Sequence, residues 1–429
     1  MKNKTIKVDY LARVEGEGGL FIKIKNDKIV ESRFNIFEPP RFFEGFLKKR
    51  KFTEAPDITA RICGICPVAY QMSSTHAMEQ ICGVKVDGPL RDLRRLLYCG
   101  EWIESHALHI FMLHAPDFLG YEDAIKMAGD YPEIVKKALQ LKKIGNDLMI
   151  KLGGREIPPI NVRVGGFYKV PEKKELEEFI APLKWALATS LEAVDLVATF
   201  DFPDLERDYE FVSLRHPDEY PLCEGNIVSN KGIDIPNDKF LDFFEEYQVS
   251  HSTSLHSKVK KRGEYLVGPM ARFHNNFDKL PPSARKAAKK VGLGKSCINP
   301  FKSIIVRALE LVFSCEEALK IIKRYEPPEK PFVECLPKEG IGHGCTEAPR
   351  GMLYHRYKID NDGIIKEARI IPPTSQNQKS IESDLQKFVE KNLHLSDKNI
   401  TWHCEQTIRN YDPCISCSCH FLKLKINRE

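Results

Sequence analysis

Two Cys-x-x-Cys pairs stand near opposite ends of the chain, Cys63-Gly64-Ile65-Cys66 and Cys414-Ile415-Ser416-Cys417. A two-residue spacer lets both sulfurs of a pair turn toward one ion, and Pro67 after the first pair and Pro413 before the second stiffen those turns. Four thiolates drawn from the two ends would make a soft, sulfur-rich metal site that only the completed fold can assemble. The fold must therefore bring together residues about 350 positions apart.

Composition narrows the setting. The 13 cysteines are an odd number in a chain of 429 residues, and the segment Met1 to Asp9 has no apolar signal core. Both features point to a reducing, cytoplasmic compartment. No uninterrupted apolar stretch approaches the ~18 residues a membrane helix needs. The other cysteines, Cys82, Cys99, Cys223, Cys297, Cys315, Cys335, Cys345 and Cys404, read as small buried hydrophobes, and Cys419 has no derivable role. With 42% hydrophobic and 29% charged residues the chain can bury a large core, which excludes disorder. Its 65 basic and 60 acidic residues nearly balance, and the clusters Lys48 to Lys51 and Lys258 to Arg262 read as solvated faces. Nucleic-acid binding has no support.

Along the chain, Ile6, Val8 and Tyr10 alternate, and Leu20 to Ile24 and Ile29-Val30 flank Asn26-Asp27, which predicts a small N-terminal sheet. Apolar spacing of three and four residues then predicts helices near 90–114, 133–152, 174–198, 237–248 and 303–324. A β-hairpin is expected at Met352 to Ile359 and Ile364 to Ile371 around Asp360-Asn361-Asp362-Gly363, followed by a helix at about 379–392. The expected class is α+β, predominantly α: long helices in the middle and small β elements toward both ends. The chain divides into an N-terminal β region (1–60), a mainly helical core (61–330), a hairpin and metal-binding region (331–420) and a tail (421–429).

On the thiols alone, three chemistries compete: four-cysteine zinc, a redox-active disulfide pair, or an iron-sulfur cluster. Zinc modules normally place their pairs within a few tens of residues, and Cys63–Cys66 lacks the compact βαβ context of thioredoxin-like motifs. The flanking text carries more. Arg61-Ile62-Cys63-Gly64-Ile65-Cys66-Pro67 and Asp412-Pro413-Cys414-Ile415-Ser416-Cys417-Ser418-Cys419-His420 together resemble the two signature motifs of nickel-iron hydrogenase large subunits. Arg13-Val14-Glu15-Gly16, Glu44, Glu347-Ala348-Pro349-Arg350-Gly351 and Pro373-Thr374-Ser375-Gln376-Asn377 extend the resemblance over essentially the whole chain. The details are most similar to the cytoplasmic, bidirectional, multi-subunit branch that includes the NADP-linked sulfhydrogenases.

The resemblance implies that Cys63 and Cys414 bind nickel terminally, while Cys66 and Cys417 bridge nickel to an iron carrying cyanide and carbon monoxide. H2 is apolar and weakly acidic, so its heterolysis needs a Lewis-acidic metal beside a base that takes the proton. By the same carry-over Glu15 relays that proton from Cys414, and Arg350 reaches over the open side of the metals. Thr374 offers a hydroxyl to a cyanide, Pro349 and Pro373 form an apolar wall, and Asp412 orients Arg350 and the final loop. Glu44, His420 and a backbone carbonyl near Ile370 would hold a magnesium or iron ion.

Three positions depart from the family pattern: Cys419 stands in place of the commoner Thr or Val, and Glu17 and Tyr70 stand where relatives often carry His, so hydrogen bonds from those imidazoles cannot be carried over. His106, His109 and His114, at i, i+3 and i+8, read as helix-packing residues rather than as a metal cluster. Phe421 to Glu429 is expected to be a maturation tail removed by an endopeptidase. The chain has no further cysteine array and no Gly-x-Gly-x-x-Gly unit, so electrons are expected to leave through an iron-sulfur small subunit. Flavin, NAD(P) and ferredoxin-like functions are assigned to further partners. The rival readings are a respiratory complex I subunit related by descent, without nickel, and a four-thiolate zinc protein.

Overall fold

In a computed structural model describing residues 3–419, the first structural layer is an antiparallel sheet of Lys4–Val8, Gly18–Lys25 and Lys28–Ile36. Its second turn is made by Asn26 and Asp27, both left-handed at φ 50° and 59°, the geometry that matches strand twist in a tight hairpin. Ile6, Leu20, Ile22, Ile24 and Phe34 bury against the rest of the molecule, as the alternation requires.

Four long helices form the centre: Gly88–Ala107, Pro132–Gly153, Ile180–Val197 and Ser303–Arg324. The last packs against both Gly88–Ala107 and Ile180–Val197, and nearly its whole circumference is buried, the mark of a helix at the middle of a bundle. A fifth, Pro67–Cys82, packs against the strand Gly340–Ala348 and starts at the first cysteine pair.

Several boundaries differ from the periodicity. The helix expected at 90–114 is α-helical only to Ala107 and continues as a π-helical turn, Leu108–His114. The 174–198 stretch breaks into Lys173–Glu177 and Ile180–Val197. The 237–248 helix is absent: Asn237–Lys239 is a 3-10 turn, Phe240–Phe243 one α-turn, and Phe244–Tyr247 a strand paired with His256–Val259. Aromatic residues fit a pleated surface, so the available partner strand overrides helical spacing there. The expected hairpin, Gly351–Ile359 and Ile365–Ile371, gains a third strand, Gly340–Ala348. Its glycines conceal it in the sequence, yet they allow the close packing: a Cβ on Gly344 would lie 1.9 Å from the Ser73 carbonyl oxygen. The helix expected from about 379 begins at Pro373, because proline is accommodated in a first turn.

Candidate metal centre

Cys63 follows the 3-10 turn Ala60–Ile62, and Cys66 is the N-cap of Pro67–Cys82. Cys414 is the N-cap of the short helix Ile415–Ser418, which carries Cys417. Both pairs thus project sulfurs from loop-to-helix junctions, where a ligand can be presented without breaking a helix interior. The junctions meet. Cys63 Sγ lies 3.4 Å from Cys414 Sγ and 3.0 Å from Cys66 Sγ. Cys417 Sγ is 2.7 Å from Cys414 Sγ and 3.9 Å from Cys66 Sγ. All four are buried and none is in a disulfide.

Side chains far from either motif hold this meeting in place. Arg41 donates from Nη2 to the Ile62 carbonyl at 2.7 Å and also to the Ser416 carbonyl, tying one cysteine loop to the other. Glu101 Oε2 accepts from the Val68 N–H at 2.7 Å, capping the helix that starts at Cys66. Burial pushes the Glu101 carboxyl well up. Thr374 Oγ1 accepts from the Cys414 N–H at 3.0 Å, which leaves its hydroxyl hydrogen free to donate elsewhere. Arg41 and Glu101 carry no motif in the sequence; only the folded contacts reveal them.

Glu15 pairs with Cys414 in a parallel bridge, where the Ile415 N–H donates to the Glu15 carbonyl at 2.9 Å. Its Oε2 accepts from Cys414 Sγ at 3.1 Å and from the Ser416 N–H at 3.1 Å, and its Oε1 accepts from Ser416 Oγ. The next residue, Gly16, has φ +88°, and a Cβ there would sit 2.7 Å from Ile415 Cβ, so the approach depends on glycine. Arg13 anchors the segment through Asp117 at 2.6 Å and the Leu113 carbonyl at 2.8 Å, and Arg409 grips the same Asp117 with two hydrogen bonds. Glu17, by contrast, points its N–H toward Glu38 and takes no part in the thiol cluster.

Across the cluster, Arg350 donates from Nε to the Asp412 carbonyl at 2.7 Å and from Nη2 to Asp412 Oδ1 at 3.0 Å. Its Nη1 is buried with no hydrogen-bond partner among the described residues. Burial opposes the guanidinium charge, but Asp412 and the nearby sulfurs hold it well above its ordinary value. The turn carrying Arg350 is fixed from behind by Arg272, which forks onto Glu310 and donates to the carbonyls of Ala348 at 2.9 Å and Pro349 at 2.8 Å. Pro349 and Pro373 are both buried.

The helix histidines stay outside the cluster. His106 pairs with Glu310 at 3.0 Å, His109 Nε2 meets the Arg409 carbonyl at 2.9 Å, and His114 packs on Phe118. Tyr70 lies near the thiols with its hydroxyl unpartnered among the described residues and its ring tilted against His355. Glu44 Oε1 accepts from the Ile370 N–H at 2.8 Å beside a cavity of about 320 Å³ also lined by Glu246, Arg369 and Ser418. His420 and the tail 421–429 lie outside the described residues.

The charge balance of the sulfurs tests whether a metal centre fits. Burial opposes ionisation of Cys63, but hydrogen bonds from Cys414, Cys417 and Cys66, followed by the Arg350 charge, bring its thiol well below the usual range. Burial pushes Cys414 and Cys417 up. Four sulfurs buried together cannot all carry charge in a dry pocket without compensation, and a bound cation supplies it. A sulfur donor set with a buried, unused guanidinium N–H nearby fits a nickel-iron pair that carries hydrogen-bond-accepting ligands.

The family profile described as nickel-dependent hydrogenase matches residues 41–155 and 301–420. The chain is 36% identical over 426 residues to sulfhydrogenase 1 subunit alpha of Pyrococcus furiosus, covering 98% of each chain. It is 25% identical over 472 residues to the NAD-reducing hydrogenase HoxS subunit beta of Cupriavidus necator, covering 98% of this chain and 95% of that one. The fold matches a chain of an H2-reduced NAD+-reducing [NiFe]-hydrogenase with a TM-score of 0.88 at 24% identity, over 97% of this chain and 99% of that chain. It also matches the Ni-Fe-Se hydrogenase of D. vulgaris Hildenborough with a TM-score of 0.77 at 22% identity, over 98% and 100% of the two chains. By profile, by relatives and by fold, the chain belongs to the nickel-dependent hydrogenase family, as a catalytic large subunit.

Proposed function

We propose that Cys63, Cys66, Cys414 and Cys417 would hold a nickel-iron centre, Cys63 and Cys414 as ligands of nickel and Cys66 and Cys417 as ligands shared with an iron that would bear cyanide and carbon monoxide. When bound, that centre supplies the soft Lewis acidity that polarises H2. The residues around it then divide the labour. Cys414 Sγ holds the proton and passes it to Glu15 Oε2, 3.1 Å away. Arg350, oriented by Asp412, directs its unpaired Nη1 toward the centre. Thr374 steadies the Cys414 backbone and keeps a hydroxyl hydrogen for a cyanide, with Pro349 and Pro373 as the apolar wall. Glu44, Ile370 and His420 take a magnesium ion.

The observation that carries this reading is the burial of four converging sulfurs with a carboxylate on one of them. Relatives named as alpha or beta subunits of hydrogenases support a multi-subunit assembly. In it, an iron-sulfur small subunit takes the electrons and further subunits deliver them to NAD(P). None of the described helices is long and apolar enough to cross a membrane. We assign the enzyme to the cytoplasm, with 421–429 removed by an endopeptidase during maturation.

Elemental analysis of the purified complex, beside a Cys414→Ser variant, tests the ligand set. About one nickel per large subunit in the wild type and its loss in the variant are expected. Zinc alone would favour a storage site, and equal nickel in both proteins would remove Cys414 from the ligand set.

A further inference from the structure

A second group of potential ligands lies further along the helix that supports Cys414. His251 sits in the loop before the strand His256–Val259, and Glu382 is on the helix Pro373–Lys391, which also carries Thr374. One donor atom from each of His251, His256 and Glu382 lies within 4.8 Å of the others. His251 Nε2 is 2.7 Å from Glu382 Oε1. The two imidazoles meet edge to face at 5.7 Å.

His256 is the residue this arrangement leaves unexplained. It is 1% exposed, and neither ring nitrogen has a hydrogen-bond partner among the described residues. A buried polar group in that state is costly unless something satisfies it. Burial, then the charges of His251 and Lys379, drive its pKa down to about 3, so its ring is neutral and offers a lone pair. The Glu382 carboxylate is already oriented by the Phe34 N–H at 3.2 Å. Lys379 stands 3.6 Å from Glu382 Oε2, but its side chain is 45% exposed and can turn into solvent when a cation arrives.

We propose that His251, His256 and Glu382 bind a divalent transition ion of the zinc class, at a site separate from the four-cysteine centre. Two imidazoles and one carboxylate favour zinc over magnesium, which prefers an all-oxygen set. Metal–donor bonds of 2.0–2.2 Å would space tetrahedral ligands roughly 3.4 Å apart. The widest separation present, at most 4.8 Å, therefore closes by about 1.4 Å or less, a movement available to the loop bearing His251. Water fills the fourth position from the side where His251 remains 16% exposed. The ion is structural: it clamps that loop and the N-terminal sheet to the helix whose first turn receives the Cys414 N–H.

The test uses the purified complex, stripped of loosely held metal by a mild chelator and then dialysed against Zn2+ alone. Wild type is expected to hold one zinc equivalent more than His256→Leu or Glu382→Gln, with nickel and iron contents equal in all three. Substituted Co2+ should give the visible bands of a nitrogen–oxygen set in the wild type and lose them in both variants. Equal zinc in the three proteins would overturn the site. Should His256→Leu fail to assemble, Glu382→Gln decides alone, since an amide can still accept the Phe34 N–H. Nickel and iron are counted separately, so failure here is distinguishable from failure of the hydrogenase centre.

Discussion

The contact between Cys414 Sγ and Glu15 Oε2, at 3.1 Å, is the proposed way out of the cluster for a proton. Glu15→Gln keeps the shape and loses the base. Hydrogen-dependent dye reduction should fall about a hundred- to ten-thousandfold while nickel and iron stay bound. Undiminished turnover would mean the proton leaves by another group. Arg350→Lys removes the planar fork onto Asp412 and leaves one point charge, so activity should drop with metal content unchanged. His114 carries a prediction about pH. Burial lowers its pKa from 6.5 to about 3, so the unfolded chain binds this proton between those values and the folded chain does not. Its contribution to stability is complete above pH 6.5 and is lost as pH falls toward 3, with a slope near 1.4 kcal/mol per pH unit. Denaturant unfolding of His114→Phe should therefore show a shallower loss of stability on acidification. An identical slope in both proteins would show that His114 is protonated in the fold.

Among elements, the strand Gly340–Ala348 matters most, because it lies against the helix that begins at Cys66. Gly344→Ala forces a methyl to within 1.9 Å of the Ser73 carbonyl oxygen. The strand must back away, at a cost of about 1–3 kcal/mol, read as a lower unfolding midpoint. A variant as stable as wild type would show that the two elements are not tightly packed. This strand was also the hardest element to read from sequence, since every second residue of Gly340-Ile-Gly-His-Gly is a glycine, a residue depleted in strands. By contrast Ser303–Arg324 was legible to the residue, because a helix buried on nearly every side repeats its apolar spacing without interruption. Phe244–Tyr247 was misread as helix because a partner strand, invisible locally, decides its conformation.

At the scale of the molecule, the chain is closed by bringing its two ends to one point. The four cysteines and Glu15 were legible because their motifs are local in sequence. Arg41, Glu101 and Arg272 were not, since each acts on backbone groups distant in the chain. Closure through the metals also makes stability depend on them: metal-loaded protein should unfold at higher denaturant than metal-free protein, with both cysteine loops protected from exchange together. The proposed role of Cys63, Cys66, Cys414 and Cys417 is to hold a nickel-iron pair whose iron carries cyanide and carbon monoxide. An infrared spectrum of the anaerobically purified complex checks this. Cyanide and carbonyl stretching bands that shift when H2 is admitted are predicted; an active protein without those bands would contradict the claim.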